Sequence, residues 1–166
     1  ILFLICFILI TSKAYAGCDD PIADGVDYTN CRFSDGQDLA GSYLPNSNLS
    51  FTSFIQVNFD KSIMMNSILA FGTFSESSFI RANLYEANLQ GGNFELSNFS
   101  SSNLTKANFQ GSTLIGANFK NANLIDANLT SANIIDANFE GANLNNTIWI
   151  DGNKCLAGSI GLCKKE

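Results

Sequence analysis

This chain offers few residues that could carry chemistry. It has no histidine in 166 residues, which removes the commonest general base and the commonest neutral metal ligand. Serine or cysteine nucleophiles paired with histidine are therefore excluded, and no glycine-rich phosphate loop or dinucleotide fingerprint occurs. Cysteine and carboxylate remain. Cys18, Cys31, Cys155 and Cys163 fall as two close pairs, one towards each end. An even number so placed suits disulfides in an oxidising compartment, although four cysteines allow three connectivities. Asp19, Asp20, Asp24 and Asp27 crowd the N-terminal region but lack the ligand spacing and closing Glu of a calcium loop. They read as a solvated acidic cap. No catalytic residue, cofactor or metal is expected.

The opening run ILFLICFILI is ten residues long and wholly apolar. A bilayer span needs about 20 residues, so the run suits the apolar core of a signal peptide instead. Ala14, Tyr15 and Ala16 supply a small-residue cleavage site before Gly17. The sequence thus predicts a signal over 1–16 and a secreted or periplasmic product without a transmembrane span after cleavage. An N-terminal strand or helix buried in the fold is the plainer alternative. Tyr15-Ala16-Gly17-Cys18 also admits a lipid anchor at Cys18, although that signal usually has Leu where Tyr15 stands.

The elements that must position these groups follow a beat of five. From Leu39 to Leu144 every fifth residue is large and apolar, 22 in succession. Two residues earlier stands Ala, Ser, Gly, Thr or Val in every case except Gln37, and the residue just before is Asn in 14 of the 22. No ordinary helix or strand keeps such a register over this length, so the chain repeats internally. In steps of 20, Phe59, Phe79, Phe99, Phe119 and Phe139 sort into one aromatic series. Leu84, Leu104, Leu124 and Leu144 sort into an aliphatic one.

The segments ANLYEANLQ, ANFKNANLIDANL and ANFEGANL resemble the pentapeptide-repeat family, whose pattern is Ala-(Asp/Asn)-Leu-x-x. The resemblance implies an all-β fold, a right-handed quadrilateral β-helix with four pentapeptides to a coil, here about five to six coils. In such a coil the central residue and the small residue two before it face inward, since only small side chains fit beside large ones at native density. Asn is expected to shape the turns, because it tolerates unusual backbone angles and bonds its own backbone. The Asn signature lapses at Ile63, Ile68, Thr73 and Ser78, where altered turns are expected. Phe33 to Leu39 spans six residues, one too many, which predicts a bulge.

Within this architecture 17–38 forms an N-terminal cap with irregular first repeats, 39–149 the β-helix and 150–166 a C-terminal cap. About five and a half coils at strand spacing span roughly 26 Å, too far to link the two cysteine pairs to each other. The expected bridges are Cys18 with Cys31 and Cys155 with Cys163, each clamping an end where a solenoid exposes its core. Trp149 lies on the beat and is expected to lid the last coil.

Function is less constrained. Some cytoplasmic members of the family resemble a DNA rod and bind topoisomerases. Between Leu39 and Trp149, however, seven acidic and four basic residues are too dilute to imitate duplex DNA, which carries one charge per about 1.7 Å. Binding to nucleic acid is disfavoured by the same sign of charge. A sugar-cleaving β-helix would need acids gathered on one side, whereas Asp126 and Asp136 fall two sides apart. Glu86, Lys106 and Asp126 share one corner on successive coils and read as a surface charge ladder. The outward pair Phe51 and Phe71, with Ile55 round the corner, and the outward pair Ile115 and Ile135 are candidate interaction surfaces. The expected role is a non-enzymatic rod for binding or structure. Its partner would be another protein, an envelope component or a second copy of the chain.

Overall fold

In the computed structural model, residues 18–19 and 21–166 are described. The signal segment 1–16, its cleavage point at Gly17, and Asp20 of the acidic cluster lie outside the described residues.

The backbone winds as a right-handed β-helix of four sides, and each side touches the next coil through a single-residue parallel bridge. Bridges join residues 20 apart, as in Ile63 to Asn83 to Asn103 to Asn123 to Asn143. Hydrogen bonds run along the axis in both directions. Phe79 N–H donates to the Asn98 carbonyl at 2.7 Å, while Ser78 N–H donates back to the Val57 carbonyl at 2.9 Å. These strand-like bonds satisfy the backbone around each coil, as burial of a polar main chain requires.

The corners explain how so short a repeat closes. The residue two after each central residue has positive φ, and 18 of these corner residues are not glycine, with φ of 54 to 63°. The left-handed region costs an L-residue roughly 1–2 kcal/mol. The corner N–H offsets this by bonding the next coil, as Phe51 donates to Ala70 at 3.0 Å. Asparagine before the central residue therefore does not supply the unusual backbone angle, contrary to expectation. Its contribution is the other expected one: Asn98 Oδ1 accepts the Ser100 N–H at 3.0 Å, and Asn118 Oδ1 accepts the Lys120 N–H at 3.0 Å. This Asx-type bond pins the approach to the corner.

Nor are the turns altered where Asn lapses. Asn66, Phe71, Glu76 and Arg81 keep φ of 57 to 58°. The inter-coil bonds hold the corner whichever residue precedes it. In one case a neighbouring coil supplies the missing side-chain acceptor, since Asp60 Oδ1 takes the Ile80 N–H at 3.0 Å.

The surplus residue before Leu39 is absorbed between Phe33 and Gly36. Phe33 N–H donates to Ser53, 20 residues on, whereas Gly36 N–H donates to Ile55, 19 residues on. The earliest bridges accordingly span 21 residues, from Asp27 to Asn48 and from Arg32 to Ser53. Phe33 still stacks on Phe54, with ring centroids 4.1 Å apart.

Inside, the Phe59, Phe79, Phe99, Phe119 and Phe139 rings form a column with centroids 4.8 to 5.1 Å apart. Phe54, Phe74 and Phe94 stack beside it, and Phe109 meets Phe99 edge-on at 5.6 Å. The small residue two before each ring makes room. A Cβ on Gly72 or Gly92 would lie 2.5 Å from the Phe74 or Phe94 ring. Inward serines and threonines return their hydroxyls to the backbone, as Ser67 does to Met64 and Ser97 to Phe74. Ser62 is the exception, its Oγ buried without a partner.

Phe99→Ala should destabilise the protein by about 3–5 kcal/mol, because it empties the middle of the column; a loss below about 1 kcal/mol in urea unfolding would contradict that packing. Ser62→Ala should be neutral or stabilising, whereas Ser67→Ala should cost about 1 kcal/mol. Equal losses in the two variants would show that Ser62 has a partner after all.

Candidate functional site

With the interior given over to packing, function falls to the outward positions and the two ends. Cys18 and Cys31 are bonded with Cα atoms 5.4 Å apart, and Cys155 and Cys163 with Cα atoms 5.0 Å apart. Each bridge lies at one end of the rod. The C-terminal segment turns back antiparallel across the last coil, where Asn143 bridges Ile160 and Ile148 bridges Lys154. Asn145 Oδ1 accepts both the Gly158 and Ser159 N–H groups, at 2.7 and 3.1 Å. Trp149 packs on Phe139 at 5.3 Å and covers the end of the aromatic column.

Phe51 and Phe71 stack with centroids 5.3 Å apart and planes 14° apart. They are 57% and 53% exposed, and both are corner residues at φ 58°. The Phe71 ring leans along the axis over Gly91, where an added Cβ would meet it at 2.5 Å. The same arrangement recurs at Leu96, which overlies Gly116. A large corner side chain thus lies down on the next coil when glycine follows it 20 residues later. Ile55 is half-buried on the adjoining side, and Ile68 is exposed on the side that ends at Phe71. Ile63 bridges Tyr43 one side further back. The apolar strip is therefore wider than the sequence analysis placed it, and Ile63 and Ile68 belong to it because Asn is missing there.

The second predicted surface is uneven. Ile135 is 60% exposed, but Ile115 is half-buried. Exposed Leu96 sits on the neighbouring corner and was missed, since corner positions admit every residue type. Ser50 and Ala70, which the repeat assigns to solvent, are buried.

The charge ladder is shorter than expected. Lys106 pairs with Glu86 at 2.8 Å and also donates to Tyr85 Oη at 3.2 Å, while Asp126 forms no ion pair with it. The Lys106 hydrogen bond, first, and that of Tyr85 hold the Glu86 carboxyl below its usual range. Such exposed pairs contribute little to stability. Asp126 and Asp136 stay on different sides. Among the described residues no group of three or more His, Cys, Asp or Glu could hold a metal ion, and no helix is long and apolar enough to cross a membrane.

The Asp151 carboxyl is lowered to about 2, first by its hydrogen bond to Lys165 and then by Asn153. A lowered carboxyl favours the folded cap above the pKa of the unfolded chain, and that contribution fades as pH falls through about 2. Carbon-detected NMR titration should place the Asp151 midpoint near 2, and Lys165→Ala should move it up towards the ordinary 3.8. An unchanged midpoint in the variant would dismiss the Lys165 contact.

The model of pentapeptide repeats matches residues 38–69, 77–114 and 114–148, in eight copies. Only 70–76, in the stretch where Asn lapses, is skipped within that span. Two structures of QnrB1, a plasmid-mediated fluoroquinolone resistance protein, share the fold. The trypsin-treated R167E form is 21% identical with a TM-score of 0.57, covering 84% of this chain and 78% of that one. The full-length form is 20% identical with a TM-score of 0.52, covering 77% and 76%. A pentapeptide repeat protein from the cyanobacterium Cyanothece 51142 is 24% identical with a TM-score of 0.38, covering 74% and 90%. No curated protein sequence matches the chain. The beat of five, the four-sided coil and the family model agree, and the chain belongs to the pentapeptide repeat family.

Proposed function

We propose that the protein is a non-enzymatic rod of an oxidising, extracytoplasmic compartment, which presents an apolar strip to a protein partner. The observation that carries the reading is the exposed Phe51 and Phe71 stack, continued by Ile68 and Ile63 on the preceding sides. A β-helix needs no apolar residue at these outward positions, and elsewhere in the chain Asn occupies most of the equivalents of Ile63 and Ile68. Aromatic clusters on a rigid surface suit a protein interface better than a small ligand, because they offer area without a concave site.

The two end disulfides support an oxidising compartment. They also weigh against a lipid anchor, since the Cys18 sulfur bonded to Cys31 is not free to form a thioether. The dilute negative charge argues against a DNA-mimicking role. The division into signal 1–16, N-terminal cap 17–38, rod 39–149 and C-terminal cap 150–166 belongs to the same proposal.

Two measurements in the native host test it. Mass spectrometry of the isolated protein should show an N-terminus at Gly17, no acyl mass, and a loss of four hydrogens relative to the reduced chain. An acylated Cys18, or an uncleaved chain with free thiols, would reject the compartment. Photo-crosslinking should then give a discrete adduct from Phe71→p-benzoylphenylalanine and none from the same substitution at Ser101, on the opposite corner. Equal yields from both positions, or none from either, would reject the apolar strip as the docking surface.

A further inference from the structure

The C-terminal end of the rod is half closed. In every interior coil the central and corner N–H groups donate to the coil above. On the last coil the cap stands in for that missing neighbour along two sides. Leu144 donates to Ser159 at 2.8 Å, Asn146 to Cys155 at 3.1 Å and Trp149 to Asn153 at 2.7 Å. Along the other two sides nothing stands in. The N–H groups of Ile134, Asp136, Phe139 and Gly141, and the carbonyls of Ala132 and Ala137, have no hydrogen-bond partner among the described residues. The end is thus a step, raised over one half by the cap and lower by one strand layer over the other.

The chemistry of the step follows the same division. Six of the twelve exposed large apolar residues lie between Ile135 and Leu162, among them Leu156, Ile160 and Leu162 on the cap. Leu162 is 71% exposed and Ile135, beside the bare edge, 60%. The cap carries Lys154 and Lys164, whereas the bare half carries Asp136 and Glu140. A raised cationic half beside a lowered anionic half is self-complementary about a two-fold axis, which is the condition for an isologous contact.

We propose that two copies of this chain dock C-terminal end to C-terminal end, the cap of each seated on the bare half-coil of the other. The axis would run across the rod, so that edges meet antiparallel and the unpaired N–H and C=O groups find strand-like partners. The cap residues Ile160 and Leu162 would cover the core that Ile134 and Ala137 leave partly exposed. The product is a rod of doubled length with an apolar Phe51 and Phe71 strip on each arm. This inference does not depend on the identity of any other partner.

Sedimentation of the disulfide-closed chain over about a hundredfold range of concentration should reveal a monomer–dimer equilibrium. Ile160→Asp with Leu162→Asp should raise the dissociation constant by about a hundredfold. Charge reversal separates this geometry from any other. A variant with Asp136→Lys and Glu140→Lys should be monomeric alone, as should one with Lys154→Glu and Lys164→Glu. Mixed together they should form a heterodimer, because each then offers the charge that the other needs. Thermal unfolding within a few degrees of the parent shows that the variants are folded; if one is not, Ile135→Asp serves as the substitute for the bare half. A wild-type chain that stays monomeric throughout overturns the proposal. So does a dimer indifferent to the charge reversals, which would place the contact elsewhere, and so do reversed variants that fail to pair when mixed.

Discussion

The structure rests on a left-handed corner placed after every fourth extended residue. Without it, five residues cannot complete one side, and the chain would run on as a strand. Glycine would adopt that corner most cheaply, yet Phe51, Arg81, Glu86, Leu96 and Lys106 all occupy it. Each pays strain that its own N–H recovers by bonding the adjacent coil. The strain is thus tolerable only within a stack. A single coil would have corners without partners, whereas each further coil removes the deficit of the one before. This makes the repeat cooperative along its axis and leaves the ends as the costly places.

That logic connects the ends to the sides. The core imposes two demands per repeat, a large residue and a small one two before it, and leaves three positions to the surface. A rod so built can change its exterior with little effect on its interior. Ile63 and Ile68 replace Asn while Met64 and Leu69 stay fully buried. Surface identity is therefore where one member of the family differs from another. Here it takes the form of an aromatic strip over the N-terminal half and a step of opposite charges at the C-terminal end.

The fold was legible because its rule is written in every repeat. The inward residues, the period of 20 in Phe59 to Phe139 and the surplus residue before Leu39 could all be read from spacing. The corner could not. Its residue types are so mixed that the sequence draws attention to Asn instead, which bonds the turn without bending it. For the same reason the gap in the Asn signature suggested altered turns that do not exist. On the surface, Phe51, Phe71 and Ile135 were found because outward positions could be counted, but Leu96 lay on a corner where no pattern distinguishes it. Ile115 was misjudged because counting gives direction and not cover. The bare edge near Ile134 and Phe139 depends on where the cap turns back, and nothing in the five-residue beat records that.

Four pentapeptides to a coil is the claim on which every assignment of side, corner and end depends. Nuclear Overhauser contacts in solution test it most directly. The account predicts aromatic cross-peaks linking Phe79 to Phe99 and Phe99 to Phe119, together with backbone contacts between Asn98 and Asn118. Ring contacts confined to residues close in sequence, or a repeat of contacts at any interval other than 20 along the regular coils, would contradict it.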